Sequence, residues 1–175
     1  MERSPRCLRL HILAALATLF LAPASLRALE QPELHFDERA WKEGYRGQQG
    51  DQYLVEFILE GQTAQTWTEL VTVQVFPGAQ ARTSAKRMIE MMHQVMARTT
   101  SRLSWRELAA GERDGLYEWW VEGDPRVPDQ HELVRILVGR EGIHVVHYAI
   151  KSGQLAPAKR QQWLRLLKSV RLVNR

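Results

Sequence analysis

Thiols are almost missing from this chain: its one cysteine, Cys7, stands ahead of a short apolar run rather than just behind it. A lipid-modified cysteine would have to follow such a run, so a lipoprotein anchor is not expected. With a leader removed no thiol would remain, which excludes a disulfide, a zinc–thiolate site and a cysteine nucleophile. Long apolar stretches are missing too. The uncharged run from Ile12 to Ala24 falls well short of the roughly 20 residues that cross a bilayer core. There is no Gly-x-Ser-x-Gly elbow, no His-Glu-x-x-His helix, no phosphate loop and no dinucleotide fingerprint. Gly44, Gly47 and Gly50 neither follow a clear strand nor open a helix, so they do not form a phosphate cradle. No internal repeat or low-complexity tract is present, and acid side chains stop at Glu141.

What is there begins with Arg3, Arg6 and Arg9, then the apolar run, then small residues at Ala22-Pro23-Ala24 and Ala28. This is the pattern of a signal peptide over residues 1–28, cut near 24–28. The expected product is a periplasmic or secreted domain over 29–175 that does not span a membrane. About 150 residues suit one domain with a real core. The net charge of +4 suggests nucleic acid at first sight. Arg3, Arg6 and Arg9 leave with the leader, however, and the rest is close to balanced, so no nucleic-acid partner is expected. An asymmetry persists: Glu30 to Glu69 holds nine acids and three bases, while seven Lys or Arg follow Glu141. Most charge runs of this kind are solvated faces.

Residues 30–52 are polar, with a short turn around Asp37 to Trp41, and read as a lead-in segment and loop. Tyr53 to Glu60 and Thr68 to Phe76 read as strands, the second alternating Val71, Val73 and Val75 with Thr72 and Gln74. Pro77-Gly78 ends it. Thr83 or Ser84 can cap a helix in which Ala85, Met88, Ile89, Met92, Val95 and Met96 recur at steps of three and four. Leu103 to Ala110 and Leu116 to Glu122 flank a turn-rich Gly111 to Gly115 and read as a hairpin. His131 to Val138 and Ile143 to Ile150 form a second, in which Val138 opposes Ile143 and Ile136 opposes Val145. Both faces of that hairpin are largely apolar, so something must cover each of them. Pro157 opens a last helix whose inner stripe is Trp163, Leu166, Leu167 and Val170. The expected architecture is α+β: an antiparallel sheet of about six strands packed with two main helices in the order ββαββββα.

The order of elements, the leader, the segment Gly61-Gln-Thr-Ala-Gln-Thr-Trp-Thr-Glu-Leu-Val-Thr-Val-Gln-Val75 and the stretch Gly142-Ile-His-Val-Val-His-Tyr-Ala149 resemble uncharacterised exported proteobacterial proteins. More remotely, the arrangement is similar to the superfamily of the PsbP-like photosystem subunits and the envelope protein DcrB. That resemblance implies an α/β sandwich acting as an accessory or docking module; it carries over no catalytic residue.

Three groups of residues could carry chemistry. Met88, Met91, Met92, His93 and Met96 suggest a soft copper site, yet Met91 and His93 lie about 160° apart on a helix. The methionines on the stripe read as core filler. His144 and His147 face opposite sides of a strand and cannot share an ion. His147 lies opposite Val134 and reads as a core or rim histidine, while His131 and His144 share a face but lie far apart along the hairpin. Carboxylates at Glu56, Glu60, Glu69, Glu118 and Glu122 could supply an acid–base pair, but strand spacing alone does not bring two together. Trp67, Trp105, Trp119 and Trp120 are a large aromatic supply. Trp119 and Trp120 project to opposite faces, so Trp119, Trp120 and Trp67 are the candidate partner-binding residues.

The resulting expectation is a non-enzymatic envelope protein without cofactor or metal, binding a protein partner or a small ligand through one face of the sandwich. The alternative is a hydrolase or metal-binding protein with a site assembled from scattered residues. The basic last helix is a further candidate for contact with an anionic surface. A deep pocket with convergent carboxylates or histidines would favour chemistry, and an open apolar patch around Trp119 or Trp120 would favour docking.

Overall fold

The structure is a computed structural model that describes residues 30–174; the leader expected over residues 1–28 lies outside the described residues. In chain order the elements are β1 (Gln31–Glu33), β2 (Trp41–Gln49), β3 (Gln52–Leu59), β4 (Glu69–Pro77) and α1 (Ala85–Thr99). They are followed by β5 (Leu103–Ala110), β6 (Asp114–Val121), β7 (Gln130–Val138), β8 (Gly142–Ile150), α2 (Pro157–Ser169) and β9 (Arg171–Val173). β2 to β8 form one open antiparallel sheet of seven strands in the order β2-β3-β4-β8-β7-β6-β5, and β1 pairs with β9 in a separate two-stranded ribbon. Among the described residues no helix is long and apolar enough to cross a membrane.

The expected α+β architecture, an antiparallel sheet with two helices, is what the structure has, with seven strands in the large sheet. One expectation needs correction: residues 30–52 are not a loop but contain β1 and β2. β2 is an edge strand whose side chains are mostly exposed, so no apolar alternation marks it. Its register on β3 also shifts between Glu43 and Tyr45, and a bulge breaks the period-two signal. Gly50 (φ 58°) makes the turn into β3 in the left-handed region that favours glycine.

The β7–β8 hairpin has the expected pairing, with Val138 opposite Ile143 and Ile136 opposite Val145. Each face of the sheet carries its own core. Under α1 lie Tyr117, Trp119, Val121, Val134, Ile136, Ile143 and Val145, packed against Ala85, Ile89, Met92 and Met96. Under α2 lie Val71, Val73, Leu116, Leu133, Val146 and Tyr148, packed against Trp163, Leu167 and Val170. The continuous apolar runs of β7 and β8 follow from this double cover.

Both helix starts follow from local chemistry. Ser84 accepts the backbone N–H of Arg87 and caps α1. Pro157 sits in the first turn of α2, where a missing donor is no loss. Gly115 lets α1 approach the sheet, since a Cβ there would lie 2.5 Å from the Ile89 Cδ1.

Candidate functional site

α1 packs on β5, β6 and β7 and over Ile143 and Val145 at the start of β8, and it leaves the β3–β4 part of the same face and the later half of β8 uncovered. The register places two rows of side chains across this face. One runs Tyr45, Glu56, Thr72, His147, Val134, Tyr117; the next runs Ile58, Leu70, Ala149, Glu132, Trp119, Trp105. Polarity changes along them as cover changes: Val134 and Tyr117 lie under α1, whereas Glu56, Thr72, His147 and Glu132 line the open stretch.

The result is a cleft of about 530 Å³ between α1, the β2–β3 hairpin and the loop before β4. That is within the range of small-molecule sites, about 300–1,000 Å³. Trp67, Trp105, Trp119, Leu54, Leu70 and Val95 supply apolar wall. His147 sits in the floor with its Nδ1 3.0 Å from Glu132 Oε2 and its Nε2 3.1 Å from Gln74 Oε1. Both ring nitrogens thus meet acceptor oxygens, an arrangement satisfied by a protonated ring or by Gln74 with its amide turned over. Glu132 also accepts from the Gln130 amide.

Three aromatic rings form a stack from surface to core on the α1 side. His93 lies 4.7 Å from Trp105, and Trp105 lies 4.5 Å from Tyr117. The Tyr117 hydroxyl donates to Met92 Sδ at 3.0 Å. Burial, and then the nearby Glu132 charge, push its phenol well above the ordinary value, so it keeps the proton it donates. At the rim, the Lys151 ammonium lies 4.2 Å above the centroid of Trp67 and 3.5 Å from the Gln65 carbonyl oxygen.

The opposite face holds two carboxylates that α2 reaches. Glu118, 1 % exposed, accepts from Arg160 Nε and Nη2, each at 2.6 Å, and from His131 Nε2 at 2.9 Å. The Leu155 N–H donates to His131 Nδ1 at 2.9 Å, which leaves the ring proton on Nε2 to face Glu118. Glu69 accepts from both terminal guanidinium nitrogens of Arg39, at 2.6 and 2.7 Å, from Lys159 at 2.8 Å and from the Tyr148 hydroxyl. Burial alone would raise both carboxyls, but their donors hold Glu69 and Glu118 at about 2. Carboxylates so fully engaged tie the helix to the sheet and are poor proton carriers.

Of the candidates read from the sequence, the structure brings Trp67 and Trp119 to one cleft and puts Trp120 on the other face. Trp120 stacks on His131 with centroids 5.3 Å apart and has the Arg106 guanidinium 5.5 Å above it, so it presents no open apolar patch. Trp119 is 5 % exposed and serves as wall rather than as a patch. Glu69 and Glu118 bind separate sets of partners and form no acid–base pair. Met92 and Met96 are core, and His93 is exposed on the outer side of Trp105. His144 is buried, with an Nδ1 that has no partner among the described residues; burial lowers its pKa against an opposing pull from Glu30. Among the described residues, no group of three or more His, Cys, Asp or Glu is placed to hold a metal ion. Sequence reasoning missed Gln74 and Glu132 as floor residues. The signal for one of them was visible: Thr72 and Gln74 are polar positions in the middle of a β-branched strand.

The model of an uncharacterised protein family matches residues 29–111. That span runs from β1 to the end of β5 and includes Trp67, Leu70, Thr72, Gln74 and α1, but not Glu132 or His147. No curated protein matches the chain.

Proposed function

We propose that this chain is an exported, non-enzymatic accessory protein that binds a small organic molecule in the cleft beside α1. The observation that supports this reading is the half-covered sheet face: an aromatic and aliphatic wall over a floor of hydrogen-bonding side chains. Such a surface matches a ligand with an apolar body and a polar end. Export rests on the leader pattern at residues 1–28. The sandwich architecture is consistent with the accessory role that the PsbP-like and DcrB-like resemblance implies.

One observation favours a second reading, hydrolysis. Glu132 holds His147 Nδ1, as an orienting carboxylate does for a catalytic base. The base position, Nε2, is taken by Gln74 rather than by a hydroxyl nucleophile, which favours binding.

Titration with the neutral solvatochromic dye Nile red tests the proposal. Saturable binding of about one dye per chain is expected, weakened at least tenfold by Ala64→Trp or Leu70→Arg, which fill or charge the cleft wall. Dye uptake that does not saturate, or that both variants leave unchanged, would overturn it.

A further inference from the structure

We infer that the ligand of this cleft is an organic cation, an ammonium group carried on an apolar body. The inference rests on the binding reading above and adds the chemistry of the ligand. First, the cleft already accommodates an ammonium on an aromatic face: Lys151 Nζ stands 4.2 Å above the Trp67 ring. An indole face is the best aromatic partner for a cation, and Lys151 is exposed and held there by one long contact to a backbone oxygen. A ligand ammonium can therefore replace it at little cost.

Second, the lining is acidic. Asp129 and Glu132 face the cleft, against Lys151, and Lys151 is the group that a ligand ammonium displaces. An anion placed deep in the cleft would lose its water next to the Glu132 carboxylate and could pair only with the exposed Lys151 at the rim, which is costly in a partly dry site. Third, the floor offers acceptors. The Glu132 carboxylate has lone pairs beyond those used by His147 and Gln130. The Thr72 hydroxyl, on a residue 9 % exposed, has no hydrogen-bond partner among the described residues. A wholly apolar molecule would bury these groups unsatisfied, whereas an ammonium donates to them.

Three probes of one shape separate the charge states: phenethylammonium, its neutral carbon isostere propylbenzene, and 3-phenylpropionate. Displacement of Nile red from the full chain measures each. The cation is expected to displace the dye at least tenfold more effectively than the anion and at least threefold more than the isostere, with its advantage shrinking as salt rises. Glu132→Gln, Asp129→Asn and Trp67→Leu should each lower the cation's advantage over the isostere at least threefold, a ratio read against the dye within each variant. A retained far-UV circular dichroism spectrum shows that each variant is folded. Dye binding without displacement by the cation, or with the isostere or anion preferred, overturns the cation assignment and leaves the cleft reading standing. Absence of saturable dye binding in the unmodified chain removes both.

Discussion

Replacing Trp163 by alanine is expected to destabilise the fold by about 3–5 kcal/mol, the usual cost of deleting a large aromatic from a packed core. Trp163 is 2 % exposed. It stacks on Tyr148 with centroids 3.9 Å apart and planes 9° from parallel, and it meets Trp41 edge-on at 5.6 Å. One side chain therefore joins α2, the central strand β8 and the edge strand β2. Since domains of this size are stable by about 5–15 kcal/mol in total, the loss is a large share. Trp163→Phe should cost much less, because it keeps a ring on Tyr148 and removes an indole N–H that is buried without a partner. Urea unfolding followed by far-UV circular dichroism measures both. A midpoint for Trp163→Ala within error of the unmodified protein would mean that α2 is not docked as described.

Arg160→Ala is expected to cost about 3 kcal/mol, toward the lower end of the range for breaking a buried ion pair. Glu118 would remain buried with only His131 and the longer 3.4 Å contact from Arg106. The converse change is milder, because Arg160 is partly exposed and can return to water when Glu118 is replaced. Glu118→Gln should therefore cost less, and the double variant should cost less than the sum, which a double-mutant cycle reads directly. The same carboxylate predicts a pH dependence. Its folded-state pKa of about 2 lies below the ordinary glutamate value near 4.3. A depressed carboxyl pKa contributes stability that is fully present above the unfolded value and is lost as pH falls through the folded one. Glu69, also at about 2, acts in the same direction. Stability should thus fall between roughly pH 4.5 and pH 2, and more steeply in the unmodified protein than in Glu118→Gln. Identical acid profiles for the two proteins would contradict the ion-pair account.

Both ties lie on the α2 face, while the cleft lies on the α1 face. The molecule thus separates its strongest attachments from its most open surface. Residues that hold α2 can be changed with large effects on stability, and residues such as Trp67 or Asp129 at the cleft rim with small ones.

Residues whose partners lie close in the chain were legible in advance. Ser84 as a cap, Pro157 at a helix start, the stripe through Ile89, Met92 and Met96, and the β7–β8 register all depend on spacings of a few residues. So did the opposite projection of His144 and His147 and of Trp119 and Trp120, which alternation along a strand dictates. β2 was not legible, because an exposed, bulged edge strand carries no apolar period and is strand only by virtue of β3 beside it.

The sequence alone determined that this domain has an antiparallel sheet with two amphipathic helices and apolar strands that need cover on both faces. Tertiary structure decided how far that cover extends. Whether α1 spans the whole face or stops over the first residues of β8 depends on contacts between residues dozens of positions apart, and local pattern does not encode them. That stopping point turns Gln74, Glu132 and His147 from scattered polar residues into one floor, and makes Trp67 and Trp119 walls of the same cleft.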